Sequence, residues 1–426
     1  MLKKFSLFFV SILLLCLVII PVSAQETVTV MGVWTGAEAD AFLKMVEPFE
    51  EETGIKVEFT GTRDLPAILN TRVQAGNPPD VSAMPNPGQM AEFAKQGKLV
   101  SLASFMDRET LLENYSKAWL DLGSYNGELY SIFISADLKS LVWYNPKAFD
   151  AAGYEVPSTW DELMELSDQM VADGNVPWAI GLESGAASGW PGTDWIEDIM
   201  LRIAPPETYD AWVNHEIVWT NEIVMEAFEI FGEIARSNEY VYGGPNAVLT
   251  IPFGDSPDAL FTDPPNAYMH RQATFIKGFI LEHFPDLVPG EDFDFFPFPA
   301  IEEEYGTPAL GAADMLAMFN DTPEARAFME YVASAPAQEI WVGELGKLAP
   351  NQNVDPMIYP DDITRKAADF LSEASVFRFD GSDLMPAAVG SGSFWTGILD
   401  YVSGESLQNV LMQIETSALD AYRDRD

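Results

Sequence analysis

The feature that most constrains this chain is a strand–helix–strand succession that begins near residue 27 and then repeats. Thr27 to Trp34 reads as a buried strand, with Val28, Val30 and Val33 along it. Ala37 to Thr53 follows as a helix, because Phe42, Val46 and Phe49 fall at i, i+4 and i+7 and Gly54 ends the run. Ile55 to Phe59 alternates as a second strand. The turn Gly76-Asn77-Pro78-Pro79 leads to a short strand over Asp80 to Met84, and Gly88 to Gln96 reads as another helix. Strands separated by helices do not pair as hairpins, so the spacing predicts an α/β fold with mostly parallel sheets flanked by helices.

A second region of the same kind opens after Ile132. Leu141 to Tyr144 reads as a strand, and Thr159-Trp160-Asp161-Glu162 is a capping box for a helix carrying Leu163, Leu166 and Met170. Val224, Phe228 and Phe231 mark one face of a helix over Asn221 to Ser237, and Leu407, Leu411, Ile414 and Ala418 mark a terminal one. No repeat and no low-complexity linker divides the regions. Two domains joined this way must share several short crossings.

Ahead of the first strand lies an export signal. Lys3 and Lys4 precede an apolar run from Phe5 to Ile20, and Pro21-Val22-Ser23-Ala24 supplies small residues for cleavage after Ala24. A retained membrane anchor is the competing reading, but the apolar run is short for a stable span. Cys16 sits inside that run behind Leu15, which does not suit lipidation. Cleavage removes the only cysteine, and with it any disulfide, thiol nucleophile or cysteine metal ligand. It also removes two lysines, taking the formal charge from −43 to −45. So acidic a chain repels nucleic acid phosphates and anionic lipid, which argues against both as partners. The mature chain is expected to be exported, periplasmic or extracellular, and free of a lipid anchor.

Catalytic signatures are missing from the sequence. There is no Gly-x-Ser-x-Gly, no Walker loop and no dinucleotide-binding glycine motif. His215-Glu216 lacks a second histidine at helical spacing, His270 and His283 stand alone, and no calcium loop is present, so neither metal nor cofactor is expected. A secreted glycan-active enzyme with an Asp/Glu pair stays open, because such a pair is recognised only by its separation in space.

Aromatic residues beside polar ones, placed where elements change, are the positive signal. Trp34-Thr35-Gly36 follows the first strand, at the end where open α/β sheets bind ligands. Gly189-Trp190-Pro191-Gly192-Thr193-Asp194-Trp195 sets two tryptophans and a carboxylate in a Gly/Pro turn, and Gly392-Ser393-Phe394-Trp395 is a third such place. Sugars suit this chemistry, since their C–H faces stack on rings and their hydroxyls need oriented donors and acceptors.

Four stretches resemble one known family. They are Phe49-Glu50-Glu51-Glu52-Thr53-Gly54-Ile55-Lys56-Val57, Gln74-Ala75-Gly76-Asn77-Pro78-Pro79-Asp80-Val81, Tyr144-Asn145-Pro146-Lys147-Ala148-Phe149, and Pro157-Ser158-Thr159-Trp160-Asp161-Glu162-Leu163. Together they are similar to the extracellular solute-binding proteins of carbohydrate ABC transporters, the maltose-binding-protein-like family. Gly192 to Arg202, Trp212 to Ile217, Phe377-Arg378-Phe379-Asp380 and Phe394-Trp395-Thr396-Gly397 resemble its α-glucoside-type branch.

The resemblance implies two α/β lobes that exchange chain at a hinge. Residues 25–133 and 276–335 would form the first lobe and 136–268 and 342–426 the second, with crossings near 132–142, 268–275 and 335–341. It implies a non-enzymatic monomeric receptor that closes around a short oligosaccharide, an α-glucoside in this branch, and presents it to permease subunits. Ligand contacts made in the closed state would alone stabilise closure. Trp395 would stack on the sugar, with Trp34 and Glu38 reaching it from the first lobe. Asp137, Lys139, Arg271 and Gln272 would face it from the crossings, Asp314 from a small-residue turn, and Trp190, Asp194 and Trp195 from the Gly/Pro turn. The same fold holding a polyol, polyamine or other small solute is a further reading.

Overall fold

The computed structural model describes residues 26–423; the leader through Ala24 and its cleavage site lie outside them. Its strands are β1 (Thr27–Gly32), β2 (Lys56–Gly61), β3 (Val81–Met84), the hairpin β4 (Ser124–Tyr125) and β5 (Glu128–Leu129), β6 (Ser131–Leu138), β7 (Leu141–Tyr144), β8 (Met269–Arg271), β9 (Asp294–Pro297), β10 (Ala309–Met318) and β11 (Phe377–Phe379). The main sheet runs β11-β10-β3-β1-β2, with β6 also paired to β10.

The fold is the expected α/β, two-lobe type, but its sheets are more mixed than the spacing predicts. β1 pairs parallel with β2 and β3, as the helix between successive strands requires. β10 enters antiparallel to both β3 and β6. The second sheet, β8-β7-β9, is antiparallel throughout. Its outer strands return from distant segments, β8 after the helices between residues 146 and 250 and β9 after the Ile276–His283 helix.

Local signals hold where the pattern was strong. The Ala37–Thr53 helix buries Phe42, Val46 and Phe49, and Gly54 ends it in the left-handed region at φ 75°. The Trp160–Ala172 helix carries the full capping box between Thr159 and Glu162.

Two main cores result. One gathers Val28, Val30, Phe42, Phe328 and Trp341 around β1; the other gathers Trp178, Trp195, Phe228, Phe394 and Ile398. Strand pairing links segments across the expected lobe limits. Asp294–Pro297, assigned to the first lobe, pairs with β7, and Phe377–Phe379, assigned to the second, pairs with β10. Residues 335–341, the expected third crossing, lie in a helix, Ala335–Leu345, whose Trp341 packs on Trp34 at 4.5 Å between ring centroids. β6 and β10 run side by side, and their register shifts between Asp314 and Met315, beside the site. Among the described residues, no helix is long and apolar enough to cross a membrane.

Candidate functional site

A cavity of about 120 Å³ lies between the two cores. Trp34, Arg63 and Asn86 reach it from the loops after β1, β2 and β3, Glu38 from the first turn of the Ala37–Thr53 helix, and Asp137, Lys139 and Asp314 from β6, its following turn and β10. Trp190, Phe253, Asp383 and Trp395 close it from the other core. Trp395 starts the Trp395–Ser403 helix immediately after a π-helical turn over Val389–Phe394, an irregularity frequent at functional sites. Gly189, at φ 107°, lets the chain pass close by; a Cβ there would lie 2.3 Å from the Trp395 carbonyl oxygen.

One wall is organised by Lys347. Its ammonium lies 2.7 Å from Asp314, 3.1 Å from Asp137 and 3.7 Å from Glu38. Arg63 adds a 2.6 Å ion pair to Glu38, Ser135 Oγ donates to Asp314 and Thr274 Oγ1 to Asp137. Burial works against the Lys347 charge, but the Asp137, Asp314 and Glu38 carboxylates overcome it and raise its pKa. Burial pushes Asp137 above the ordinary carboxylate value despite Lys347.

The second wall is organised by Lys139, which pairs with Asp194 at 2.8 Å and with Asp380. Behind it the charges continue inward. Arg271 meets Asp194 at 3.3 Å and pairs with Asp198, and Arg202 meets Asp198 at 2.8 Å. Arg202 also donates to the carbonyls of Phe298, Pro299 and Pro308, tying the Trp190–Ile203 helix to the segments on either side of 300–307. Glu197 accepts from the Gly381 and Ser382 N–H groups at 3.1 and 2.9 Å. Burial raises Glu197 well above its usual value, and the neighbouring Asp380 and Asp194 add to it. Burial also lifts Asp194 to about 6, against the pull of Lys139. Asp380 stays below the usual range, because Lys139 more than offsets the cost of burying it. Asp194, Glu197 and Asp380 lie close enough to share a cation, and the Lys139 ammonium supplies one to two of the three.

The aromatic lining offers its surfaces unequally. Lys139 lies over Trp190 at 5.4 Å and Lys347 over Phe275 at 5.7 Å, so the protein's own cations use these rings. Trp34 is packed between Phe42, Phe59 and Trp341. Trp395 has no ring or cation packed on it among the described residues. Trp34 Nε1, Trp395 Nε1 and Ser184 Oγ are buried without a hydrogen-bond partner, and all three residues line the cavity. Such groups are costly unless something entering the cavity satisfies them.

At both mouths the two cores touch directly. Asp64 accepts from the Ala186 N–H at 2.8 Å, and Arg63 lies over Phe253 at 5.1 Å. On the opposite rim Asn86 donates to Asp383, and Glu92 accepts from the Ala387 N–H at 3.0 Å. Gly88 is needed here, since a Cβ would sit 2.1 Å from the Met385 carbonyl oxygen.

Of the residues expected at the site, Trp34, Glu38, Asp137, Lys139, Trp190, Asp314 and Trp395 line the cavity. Asp194, Trp195, Arg271 and Gln272 do not. Trp195 is a core residue, packed on Trp178, Phe231 and Phe298, because its place on the Trp190–Ile203 helix turns it away from the opening. Asp194 and Arg271 form an ion pair at 3.3 Å behind Lys139, and the Gln272 side chain accepts from the Ala273 N–H. Arg63, Asn86, Lys347, Asp380 and Asp383 went unnoticed. Only Asp380 lay in a stretch the sequence had singled out.

Residues 35–339 match the model of the bacterial extracellular solute-binding protein family. The osmoprotective compounds-binding protein GgtB of Synechocystis is 47% identical over 92% of this chain and 92% of its own length. The alpha-glucosides-binding periplasmic protein AglE of Rhizobium meliloti is 42% identical over 92% of this chain and 86% of its own. Among solved structures, a chitin oligosaccharide binding protein superposes with a TM-score of 0.81 at 18% identity, covering 94% of this chain and 99% of that one. The chain belongs to the bacterial extracellular solute-binding protein family.

Proposed function

We propose that this solute-binding protein is the receptor of an ABC importer and captures a small neutral sugar, an α-glucoside, between its two halves. The carrying observation is the chemistry of the cavity. Each of its cations, Arg63, Lys139 and Lys347, already holds carboxylates, so an anionic ligand finds no free partner. Oriented carboxylates, unpartnered N–H and O–H donors and the open face of Trp395 suit a ring bearing hydroxyls. The identity to AglE supports the α-glucoside class. The identity to GgtB favours a second reading, a small hydroxylated osmoprotectant in the same cavity.

In this reading Trp395 stacks on the sugar, Glu38, Asp137 and Asp314 accept from its hydroxyls, and Lys347 and Lys139 hold those acceptors in place. The halves around β1 and around the Trp190–Ile203 helix are the closing lobes, with β6 and β10 carrying the hinge. The closed, monomeric form is presented to permease subunits outside the cytoplasm, after cleavage at Ala24.

A thermal-shift screen of the mature chain against mono- and oligosaccharides, polyols and polyamines tests this. A receptor at a hundredfold excess over its dissociation constant gains about 2.7 kcal/mol, and the sugar is recovered intact. Recovered cleavage products would turn the reading to a glycan-active enzyme. A shift with polyamines and none with sugars would discard the ligand class.

A further inference from the structure

Asp383 differs from every other carboxylate on the cavity wall. Glu38, Asp137, Asp314 and Asp380 each lie within 4.0 Å of a lysine or arginine. Asp383 has no cation at that distance among the described residues; its Oδ1 accepts from the Asn86 amide, and its own N–H donates to Asp380 at 2.8 Å. The groups facing it are mostly of its own sign. Asp380 precedes it on the same turn, Asp194 comes from the Trp190–Ile203 helix, and Asp314 comes from β10. Glu92, on the Pro87–Lys95 helix packed beside it, is directed to Ala387 instead. Lys139 is the one cation near, and it is engaged by Asp194 and Asp380.

On this wall three buried cations stand among five buried carboxyls. Lys139, Arg202 and Arg271 are matched by Asp194, Asp198 and Asp380. Glu197 and Asp383 remain, the two carboxyls without a cation beside them, and a buried charge so placed is too costly to keep. Burial, with Asp380 next, also raises Asp383 well above its ordinary value.

We propose that Asp383 meets the ligand as a neutral carboxylic acid, donating its O–H to a hydroxyl or ring oxygen, and so selects for an acceptor and against a cationic group at that point. This rests on the sugar-receptor reading. It makes Asp383 a specificity-determining residue and a donor on a wall otherwise furnished with acceptors.

Infrared spectroscopy of the ligand-free mature chain at neutral pH tests the protonation state directly. The protonated-carboxyl carbonyl stretch is expected to lose one component in Asp383→Asn and a different one in Glu197→Gln. A spectrum unchanged by Asp383→Asn overturns the proposal, whatever the ligand is. Calorimetry with maltose, trehalose and glucosamine, over a pH series, tests the selectivity. Neutral-sugar affinity should fall by up to tenfold per pH unit above the Asp383 pKa, and Asp383→Asn, which keeps a donor, should flatten that profile and retain affinity within about threefold. Asp383→Ala should weaken binding about tenfold. If Asp383→Asn weakens the neutral sugar by about a hundredfold, or if glucosamine is preferred, Asp383 acts as a carboxylate and the proposal fails. If no sugar binds, the receptor reading fails while the infrared result still decides the protonation state.

Discussion

Lys347 and Lys139 are both buried ammonium groups set among carboxylates, yet they face different ways. All three carboxylates around Lys347 line the cavity. Of the two around Lys139, Asp380 lines it while Asp194 turns inward to Arg271, and the chain of charges ends at Arg202 in the core. The first network faces the cavity throughout; the second faces it at Asp380 and continues inward into the core. Charged residues at a site therefore divide into those a ligand could touch and those that hold them, and only spatial order separates the two.

The sharpest way to break this comparison is Asp198→Ala. It strands Arg202 and part of Arg271 in the interior, and breaking a buried pair of this kind costs about 3–5 kcal/mol. Chemical denaturation should register that loss, while the affinity of the folded fraction for its ligand changes little. A variant of full stability and lost affinity would place Asp198 at the binding surface and dissolve the distinction.

The pH dependence of stability sharpens it further. Burial raises Glu197 well above the ordinary value of about 4.3 at which an unfolded glutamate releases its proton. The folded state thus binds the extra proton above that pH, so this group's contribution to stability falls as pH rises toward its raised pKa. Glu197→Gln fixes the neutral form and should remove that part of the slope. An unaltered slope in denaturation midpoints across the pH series would mean Glu197 is ionised in its pocket.

The smallest effect belongs to the rim. Asp64→Ala removes one hydrogen bond between the halves, worth about 1 kcal/mol. Small-angle scattering of the ligand-free chain should report a larger radius of gyration, and an unchanged profile would mean that the contact at Ala186 does not bias closure.

Much of this molecule was legible before its structure, and the reasons are local. β1, its helix and β2 announce themselves because alternation and i, i+4 spacing are read within a few residues, as are the Thr159 capping box and the Leu141–Tyr144 strand. Family likeness carried Trp395, Asp137 and Asp314 to the cavity wall. What failed was non-local. Nothing in Asp294–Pro297 says that its partner is β7, 150 residues earlier in the chain. Trp190 and Trp195 share one turn-like motif, but five positions along a helix turn one to the cavity and the other to the core. Lys347 and Asp383 carried no motif at all; they matter because β6, β10 and the loop after Leu345 converge there.

In the proposed function a neutral sugar sits in the cavity between the cores, against Trp395. Calorimetric titration of wild type and Trp395→Ala, with the α-glucoside that gives the largest thermal shift, tests it most directly. Trp395→Ala should lose about 2 kcal/mol or more in binding free energy, roughly thirtyfold in affinity, with the sugar recovered intact from both proteins. Equal affinity for the two would contradict it, and would move the ligand away from this cavity.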